Sequence, residues 1–287
     1  MLYYFFLFLA LSCQREATDD QGGGPAFETT PKKSTVDATK VKEASGIADS
    51  KANPGHIWVQ QDSGNPPDIF LLKHDGSLVK SIHLANTTNR DWEDMYLSAG
   101  PQAGKNYLYI GETGDNNLIH NEYIIYRCEE PAASVDTVKQ VDKISFTYAD
   151  GKHDCEAFVV DPTTKDIYLI TKNDNPAKIF KLTYPYSTSS SNTATQVGTL
   201  TYNFVVSAAV SPDKKGIAVK TYGGINYYAI KSGETIPQAL AKTPVALPYA
   251  GEPQGEAITF AADNSGYFTL SEKSLLSSVS LYFYKKK

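Results

Sequence analysis

Glutamate residues recur along this sequence at nearly regular intervals, and each is followed by a short apolar run. They are Glu43, Glu93, Glu156 and Glu256, and the run around Val206 takes the place of a further member, giving separations of 50, 63, 50 and 50 residues. If the fold brings these positions to one axis, their carboxylates repel one another and must raise their pKa values, recruit a basic side chain or bind a cation.

Oxygen ligands from separate loops suit Ca²⁺, which accepts six to eight of them in irregular geometry. We therefore expect a calcium site that includes Glu43, Glu93, Asp94, Glu156 and Glu256. An alternative stays open, because a glutamate repeated in every structural unit can also accept backbone N–H bonds and fix neighbouring units together.

Other polar residues are predicted to lie around the same axis. One group of loops carries Asp91, Asp94, His153 and Asp154 beside the glutamates, and a second group carries Asp62, Lys172, Lys220, Tyr222 and Glu272. The candidates for ligand binding are Arg90, Trp92, Lys172, Lys220 and Tyr222. Basic groups bind anions and a tryptophan can stack on a sugar, although surface lysines and a packed tryptophan are the ordinary alternatives. The catalytic candidates are Glu93 and Glu156 as bases and His153 as a proton carrier.

Several function classes are not supported. The sequence contains no GxSxG, HExxH, CxxC, P-loop or GxGxxG pattern, and its five histidines are scattered, which argues against zinc. It carries 27 Lys and Arg residues against 32 Asp and Glu, a net charge of −5, with no basic block longer than Lys285 to Lys287. Nucleic acid is therefore not an expected partner.

The elements that must position these residues are strands. Each repeat continues into a second strand-like run, starting at Ile57, Tyr107, Ile167, Ile217 and Tyr267, and a third, starting at Ile69, Tyr123, Lys178, Asn226 and Val279. A weaker fourth run follows in most repeats, and turn residues separate the runs. Four strands at a period near 50 residues predict an all-β fold, a β-propeller of four-stranded blades. Five blades fit the chain best, six are the alternative, and a β-sandwich explains the period less well.

The last repeat ends after three strands, so we predict that residues near 35 to 42 supply its outer strand and close the ring. The 13 additional residues between Glu93 and Glu156 are expected to lengthen a loop or outer strand around Ala132 to Lys152. For Cys128 and Cys155 the spacing leaves both a disulfide and two buried free thiols open.

A predicted targeting segment precedes this domain. Residues 2 to 12 form an apolar run too short to cross a bilayer, and Cys13 follows directly, which indicates a signal peptide (1–12) and lipidation of Cys13. Residues 13 to 35 are polar and are predicted to be a flexible tether, with the propeller domain at 36–287. This places the protein in a bacterial cell envelope as an outer-membrane-anchored lipoprotein, either periplasmic or surface-exposed.

Six segments resemble a family of secreted bacterial β-propeller proteins and lipoproteins that has no established reaction. They are NPGHIWVQQDSG, NRDWEDMYL, YIGETGDN, DCEAFVVDP, SPDKKGIAVKTY and GEPQGEAITF, and the resemblance covers roughly residues 43 to 275. The chain is also distantly similar to esterase-like phytase propellers. That likeness implies a calcium-dependent phosphoesterase.

Two functions follow from the sequence. The first is a lipid-anchored propeller with an acidic, calcium-loaded opening around its axis, the axial mouth. It would bind a small molecule, a glycan or a partner protein there. The alternative is a calcium-dependent, phytase-like hydrolase in which metal ions activate water. Propellers serve both roles, so the fold alone does not choose between them.

Overall fold

The structure is a computed structural model that describes residues 24–273 and 278–287. Short strands dominate it, and the described part contains a single short helix. In chain order the elements are β1 (Lys32–Thr35), β2 (Ala44–Asp49), β3 (His56–Gln61), β4 (Asp68–Lys73), β5 (Leu78–Leu84), β6 (Trp92–Ala99), β7 (Asn106–Glu112), β8 (Tyr123–Glu129), β9 (Thr137–Val138), β10 (Asp142–Tyr148), β11 (Cys155–Val160), β12 (Ile167–Thr171), β13 (Lys178–Leu182), β14 (Asn192–Thr199), β15 (Val205–Val210), β16 (Gly216–Thr221), β17 (Gly224–Ala229), α1 (Ile236–Leu240), β18 (Val245–Leu247), β19 (Gly255–Phe260), β20 (Gly266–Ser271) and β21 (Ser280–Lys285).

The strands fall into groups of four, which we number as units along the chain, and a parallel pairing of β10 with β14 joins two of these groups into one eight-stranded sheet. Unit 1 is β2–β3–β4–β5, unit 2 is β6–β7–β8–β10, unit 3 is β11–β12–β13–β14, unit 4 is β15–β16–β17–β18 and unit 5 is β19–β20–β21–β1. Neighbouring strands within each unit are antiparallel, as short hairpin connections require. The grouping corresponds to the repeat of strand-like runs in the sequence.

The first strands of the units surround a common axis. β2 packs beside β6, β6 beside β11, β11 beside β15, β15 beside β19, and β19 again beside β2. β2, β11 and β15 are buried along their whole length because neighbouring units cover both of their faces. The outer strand β5 instead alternates exposed and buried residues. This closed arrangement of four-stranded sheets is a β-propeller and confirms the predicted fold class.

An N-terminal strand completes unit 5, as predicted, but it lies earlier in the chain. β1 pairs antiparallel with β21 from Lys32 to Thr35, whereas the sequence placed this strand near residues 35 to 42. Phe27 is also buried, and its backbone forms an isolated antiparallel β-bridge with Lys286. The packed part of the chain therefore reaches into the range predicted as tether, because the open edge of β21 needs a hydrogen-bonding partner.

The additional residues of unit 2 form a connection back to unit 1. β9 pairs in parallel with β5, and the loop before it carries the buried Glu130. The Glu130 carboxylate accepts hydrogen bonds from Trp58 Nε1 (3.1 Å), Ser50 Oγ (2.7 Å) and two backbone N–H groups of unit 1. This loop fastens the two units together on the side of the ring away from the starts of the first strands.

Two further features concern the sequence predictions. Cys128 and Cys155 are both free and buried, so the two-thiol alternative is the one observed. Burial raises the pKa of each thiol to about 12, which makes both unreactive near neutral pH. Within residues 24–273 and 278–287, no helix is long and apolar enough to cross a membrane.

Candidate functional site

Every first strand contains a β-bulge close to its start. The residues left out of the regular pairing are Ser45 in unit 1, Glu93 and Asp94 in unit 2, Glu156 in unit 3, Val206 in unit 4 and Glu256 in unit 5. A bulge re-aims the side chain it carries. The repeated glutamates of the sequence are therefore, with the exception of Glu43, residues of this bulge.

Two further rings of residues surround the bulges at the same end of the axis. Immediately before the first strands lie Glu43, Asp91, Asp154, Phe204 and Gln254, and immediately after the second strands lie Asp62, Thr113, Lys172, Tyr222 and Glu272. Backbone hydrogen bonds join the two rings within a unit, for example from Asp62 N to Glu43 O (2.8 Å) and from Lys172 N to Asp154 O (3.0 Å). We call the opening formed by these rings and the bulge residues the axial mouth.

Five carboxylates of the axial mouth form two overlapping groups. In each of the groups Asp62–Asp91–Glu93 and Glu93–Asp154–Glu156, one oxygen per residue lies within 4.8 Å of the others. Glu93, Asp154 and Glu156 are buried, whereas Asp62 and Asp91 are half-buried. Glu93 belongs to both groups and is their common member.

Burial and mutual repulsion perturb these groups strongly. Burial, reinforced by the charges of Asp62 and Asp154, raises the pKa of Asp91 to about 6. Burial and the charge of Glu156 raise the pKa of Glu93 well above its ordinary range. The cluster therefore retains protons that an isolated carboxylate has lost at neutral pH, unless a cation compensates its charge.

One lysine faces the carboxylates from unit 3. The Lys172 ammonium hydrogen-bonds Glu156 Oε1 and lies 5.5 Å from the ring centroid of Tyr222. Although burial opposes it, the charge of Glu156 raises the pKa of Lys172, which keeps the ammonium charged. Tyr222 in turn donates to Glu256 Oε1 (2.7 Å). Burial and the charge of Glu256 raise the pKa of Glu272 to about 8.

The second oxygen of Glu156 is left without a partner. Glu156 is only 3% exposed, so its Oε2 is shielded from solvent, and this oxygen has no hydrogen bond within the described part of the chain. The neighbouring Asp154 is held in place, because Asp115 N–H donates to its Oδ1 (2.8 Å) and Asn173 Nδ2 to its Oδ2 (2.7 Å). A buried oxygen without a donor is costly in the absence of a ligand. This oxygen could bind a metal ion.

Gly114 forms one wall of the carboxylate cluster. A Cβ atom at this position would lie 2.2 Å from Glu93 Oε1 and 2.4 Å from Asp91 Oδ2. The backbone of the loop after β7 therefore approaches these two carboxylates as closely as a glycine permits. Glu93 and Asp91 are held in place by backbone on this side.

The predicted metal ligands separate into two sets. Glu93 and Glu156 lie in the carboxylate groups, and Glu256 is near them but bonded to Tyr222. Glu43 lies two residues before the bulge of unit 1, is exposed and accepts from Asn65 Nδ2 (2.7 Å), because Ser45 occupies the bulge position. Asp94 points across the axis to unit 4, where Ser207 Oγ (3.1 Å) and Ala208 N–H (3.3 Å) donate to it.

The predicted ligand-binding residues separate in the same way. Lys172 and Tyr222 are in the axial mouth, but Trp92 is fully buried against Tyr126 and belongs to the core. Lys220 is also buried, between units 4 and 5, with its ammonium 3.0 Å from Tyr249 Oη. Arg90 lies beside Glu112 (3.6 Å), whose carboxylate fixes the loop before β6 by accepting the N–H groups of Arg90 and Asp91. Trp92, Lys220 and Arg90 therefore do not share one ligand-binding surface.

His153 is buried and both of its ring nitrogens are engaged. Nδ1 lies 2.8 Å from Asp174 Oδ2, and Nε2 lies 2.9 Å from Asp150 Oδ1. The ring packs against Tyr148 and Phe180. A histidine fixed between two carboxylates orients the loop before β11, and neither nitrogen is available to a substrate in this arrangement.

The carboxylate groups of the axial mouth include three residues that the sequence analysis did not name as metal ligands. Asp62, Asp91 and Asp154 were predicted to line the mouth without being assigned to the metal site. Asp91 and Asp154 each lie two residues before a bulge glutamate, and this D-x-E spacing in units 2 and 3 is the signal that identifies them.

Comparisons with known proteins find weak structural similarity and no matching sequence family. No protein-family model matches the chain, and no curated protein matches it. Similar solved structures include the Dos1 propeller, with 9% identity, a TM-score of 0.41, and coverage of 80% of this chain and 52% of that chain. Another is hydrazine synthase of Kuenenia stuttgartiensis, with 10% identity, a TM-score of 0.40, and coverage of 83% and 58%. The chain thus spans little more than half the length of these structures, and the β-propeller assignment stands on its own strand pairing.

Proposed function

We propose that this protein is a β-propeller that binds Ca²⁺ in its axial mouth and uses the ion to hold a ligand or partner at that face. The observation that carries the proposal is the buried, unpartnered Glu156 Oε2 within a group of converging carboxylates. Oxygen ligands from three units with unequal burial suit Ca²⁺, whereas Mg²⁺ demands near-ideal octahedral geometry. A bound cation also offsets the burial and the mutual repulsion that together raise the pKa values of Asp91 and Glu93.

Calcium titration of the purified, EDTA-treated protein by isothermal calorimetry tests this proposal. We expect saturable binding that weakens at least tenfold in Glu93→Gln, which loses the carboxylate shared by both groups. The matched control is Asp136→Asn, because the Asp136 side chain is 90% exposed and pairs with Lys80 far from the axial mouth. Absence of calcium binding in the unmodified protein, or equal affinity of the Glu93→Gln variant, would refute the proposal.

A calcium-dependent hydrolase is the second candidate. Its specific support is Asp91, a carboxyl next to Glu93 that is only half-buried, so that solvent reaches it as a general base requires. Glu93 and Glu156 are less accessible, and Glu156 is already bonded to Lys172. A phosphoester screen at saturating calcium decides this point: turnover that disappears in Asp91→Asn although the variant is still loaded with calcium would support hydrolysis. Absence of turnover with every phosphoester would leave the binding role.

Attachment to the bacterial cell envelope is a separate part of the proposal. It is supported by the apolar run at residues 2 to 12 followed by Cys13, and these residues lie outside the part of the chain that the structure describes. Metabolic labelling with a fatty-acid analogue should mark the protein and should fail in Cys13→Ala. Labelling that persists in that variant would contradict lipidation at this cysteine.

A further inference from the structure

Unit 4 differs from the other units at the axial mouth. Val205 pairs with Thr221, so Phe204 and Tyr222, the residues just outside this pair, lie side by side at the rim. The equivalent pairs of positions in the other units each contain at least one charged residue. A structural device recurs in every unit, whereas a binding site breaks the symmetry. The aromatic pair of unit 4 breaks it.

Phe204 has a backbone conformation that packing does not explain. Its φ angle is +58°, in the left-handed region that a bulky residue rarely adopts, yet its side chain is 52% exposed. The Phe204 N–H donates to Lys172 O (2.8 Å), which fixes this backbone against unit 3. Burial of a half-exposed ring offsets little of the conformational cost. Strain of this kind is typical of ligand sites.

Tyr222 completes an aromatic side of the axial mouth. It is 39% exposed, and its ring is fixed because its hydroxyl donates to Glu256 Oε1 (2.7 Å). The bulge residue of unit 4, Val206, is buried and supplies no carboxylate. The two carboxylate groups come from units 1 to 3. The axial mouth therefore has an acidic side and an aromatic side.

We propose that the ligand of the axial mouth is a neutral glycan, whose sugar ring stacks on Phe204 and Tyr222 while its hydroxyl groups bind the calcium ion. This inference rests on the proposed function and specifies its ligand class. A pyranose ring presents C–H groups on its faces and hydroxyl groups along its edge. Aromatic rings suit the first, and Ca²⁺, which accepts six to eight oxygens, suits the second.

The charges of the axial mouth argue against other ligand classes. Lys172 is the single basic residue among those that define the mouth, and it is bonded to Glu156, so an anionic ligand finds no unpaired basic group among them. A basic peptide would compete with calcium for the carboxylates. A wholly apolar segment would cover the half-buried Asp62 and Asp91 without offering them a partner. A neutral, hydroxyl-rich ligand avoids each of these costs.

An array of neutral oligosaccharides of glucose, mannose, galactose and xylose, probed in calcium and then in EDTA, tests the inference. We expect binding in calcium and its loss in EDTA. Calorimetry with the recognised oligosaccharide then compares variants. Phe204→Gly removes the ring at a φ angle that glycine adopts freely, and it should weaken glycan binding by about tenfold or more while calcium affinity is unchanged. Phe204→Tyr keeps the ring and should keep glycan binding.

The matched control is Lys214→Gly. Lys214 has the same left-handed conformation, with a φ angle of +59°, and lies in the connection from β15 to β16 at the opposite end of unit 4. Its glycine variant should bind both calcium and glycan as the unmodified protein does. Circular dichroism verifies that each variant is folded before the titrations.

The outcomes separate this inference from the proposed function. Calcium binding without recognition of any neutral glycan would overturn the inference and leave the calcium function intact. Glycan binding that persists in EDTA, or that is unchanged in Phe204→Gly, would also overturn it. Binding of a polylysine peptide that calcium weakens, with no glycan bound, would assign the mouth to a basic partner instead. Absence of calcium binding in calorimetry would refute the proposed function itself.

Discussion

Replacing Gly114 by alanine should weaken calcium binding without unfolding the protein. The added Cβ would lie 2.2 Å from Glu93 Oε1 and 2.4 Å from Asp91 Oδ2, where ordinary contacts begin at 3.4 Å. Both carboxylates must therefore move by about 1 Å, and such overpacking typically costs about 1–3 kcal/mol. If that cost falls on the bound state, the dissociation constant rises by about 5- to 150-fold. Asp91 is half-buried and can rotate outward, whereas Glu93 is buried, so part of the cost falls on the ion-free fold and circular dichroism must verify folding before the titration.

Calorimetric calcium titration of Gly114→Ala measures this effect directly. The matched control is Gly223→Ala in the turn after β16, where the nearest atom to an added Cβ is 3.9 Å away. That variant should bind calcium with unchanged affinity. A dissociation constant for Gly114→Ala within twofold of the unmodified protein would show that Glu93 and Asp91 do not bind the ion in the positions described.

Three further predictions concern stability. Because the folded-state pKa values of Asp91 (about 6) and Glu272 (about 8) are raised, the folded protein binds more protons than the unfolded chain above about pH 4. The unfolding midpoint in EDTA should therefore fall as the pH rises from 4 to 8, whereas a midpoint that rises steadily would contradict these pKa values. Phe27→Ala should lower the free energy of unfolding by about 3 kcal/mol, and the midpoint of thermal unfolding by roughly 6–12 °C, because it empties a buried position beside β21. An unchanged midpoint would show that the N-terminal segment is not packed. Glu130→Ala leaves the buried Trp58 Nε1 donor unpaired and should destabilise by about 1–3 kcal/mol in denaturant titrations. Calcium affinity should not change in Glu130→Ala, and a weakened affinity would argue that the unit 1 to unit 2 connection influences the axial mouth.

The fold could be predicted because its signals are local and repeated. Alternating apolar runs, the turns between them and the 50-residue period are all visible in the sequence, and the strands lie where these runs occur. The outer strand of unit 5 was placed several residues too late. β1 (KKST) has no apolar alternation of its own and is a strand only because β21 offers it an edge.

The site was predicted in outline and missed in detail because of the bulges. An alignment by glutamate treats Glu43 as equivalent to Glu156, but the bulge in unit 1 falls at Ser45, two residues later. A shift of this size changes which side chain reaches the axis. The packed alternative for Trp92 is the one observed, whereas burial of Lys220 could not be read from the sequence because it depends on how neighbouring units pack.

Thermal unfolding of the protein in EDTA, and then with added Ca²⁺ or Mg²⁺, tests directly whether the folded protein binds calcium. An ion bound only by the folded state stabilises it by about 2.7 kcal/mol at a hundredfold excess over the dissociation constant. For a domain of this size, that corresponds to a rise of roughly 5–11 °C in the unfolding midpoint. We expect such a rise with Ca²⁺ and a smaller one with Mg²⁺. An unfolding midpoint that calcium leaves unchanged would refute calcium binding and favour the glutamates as residues that only fasten neighbouring units together.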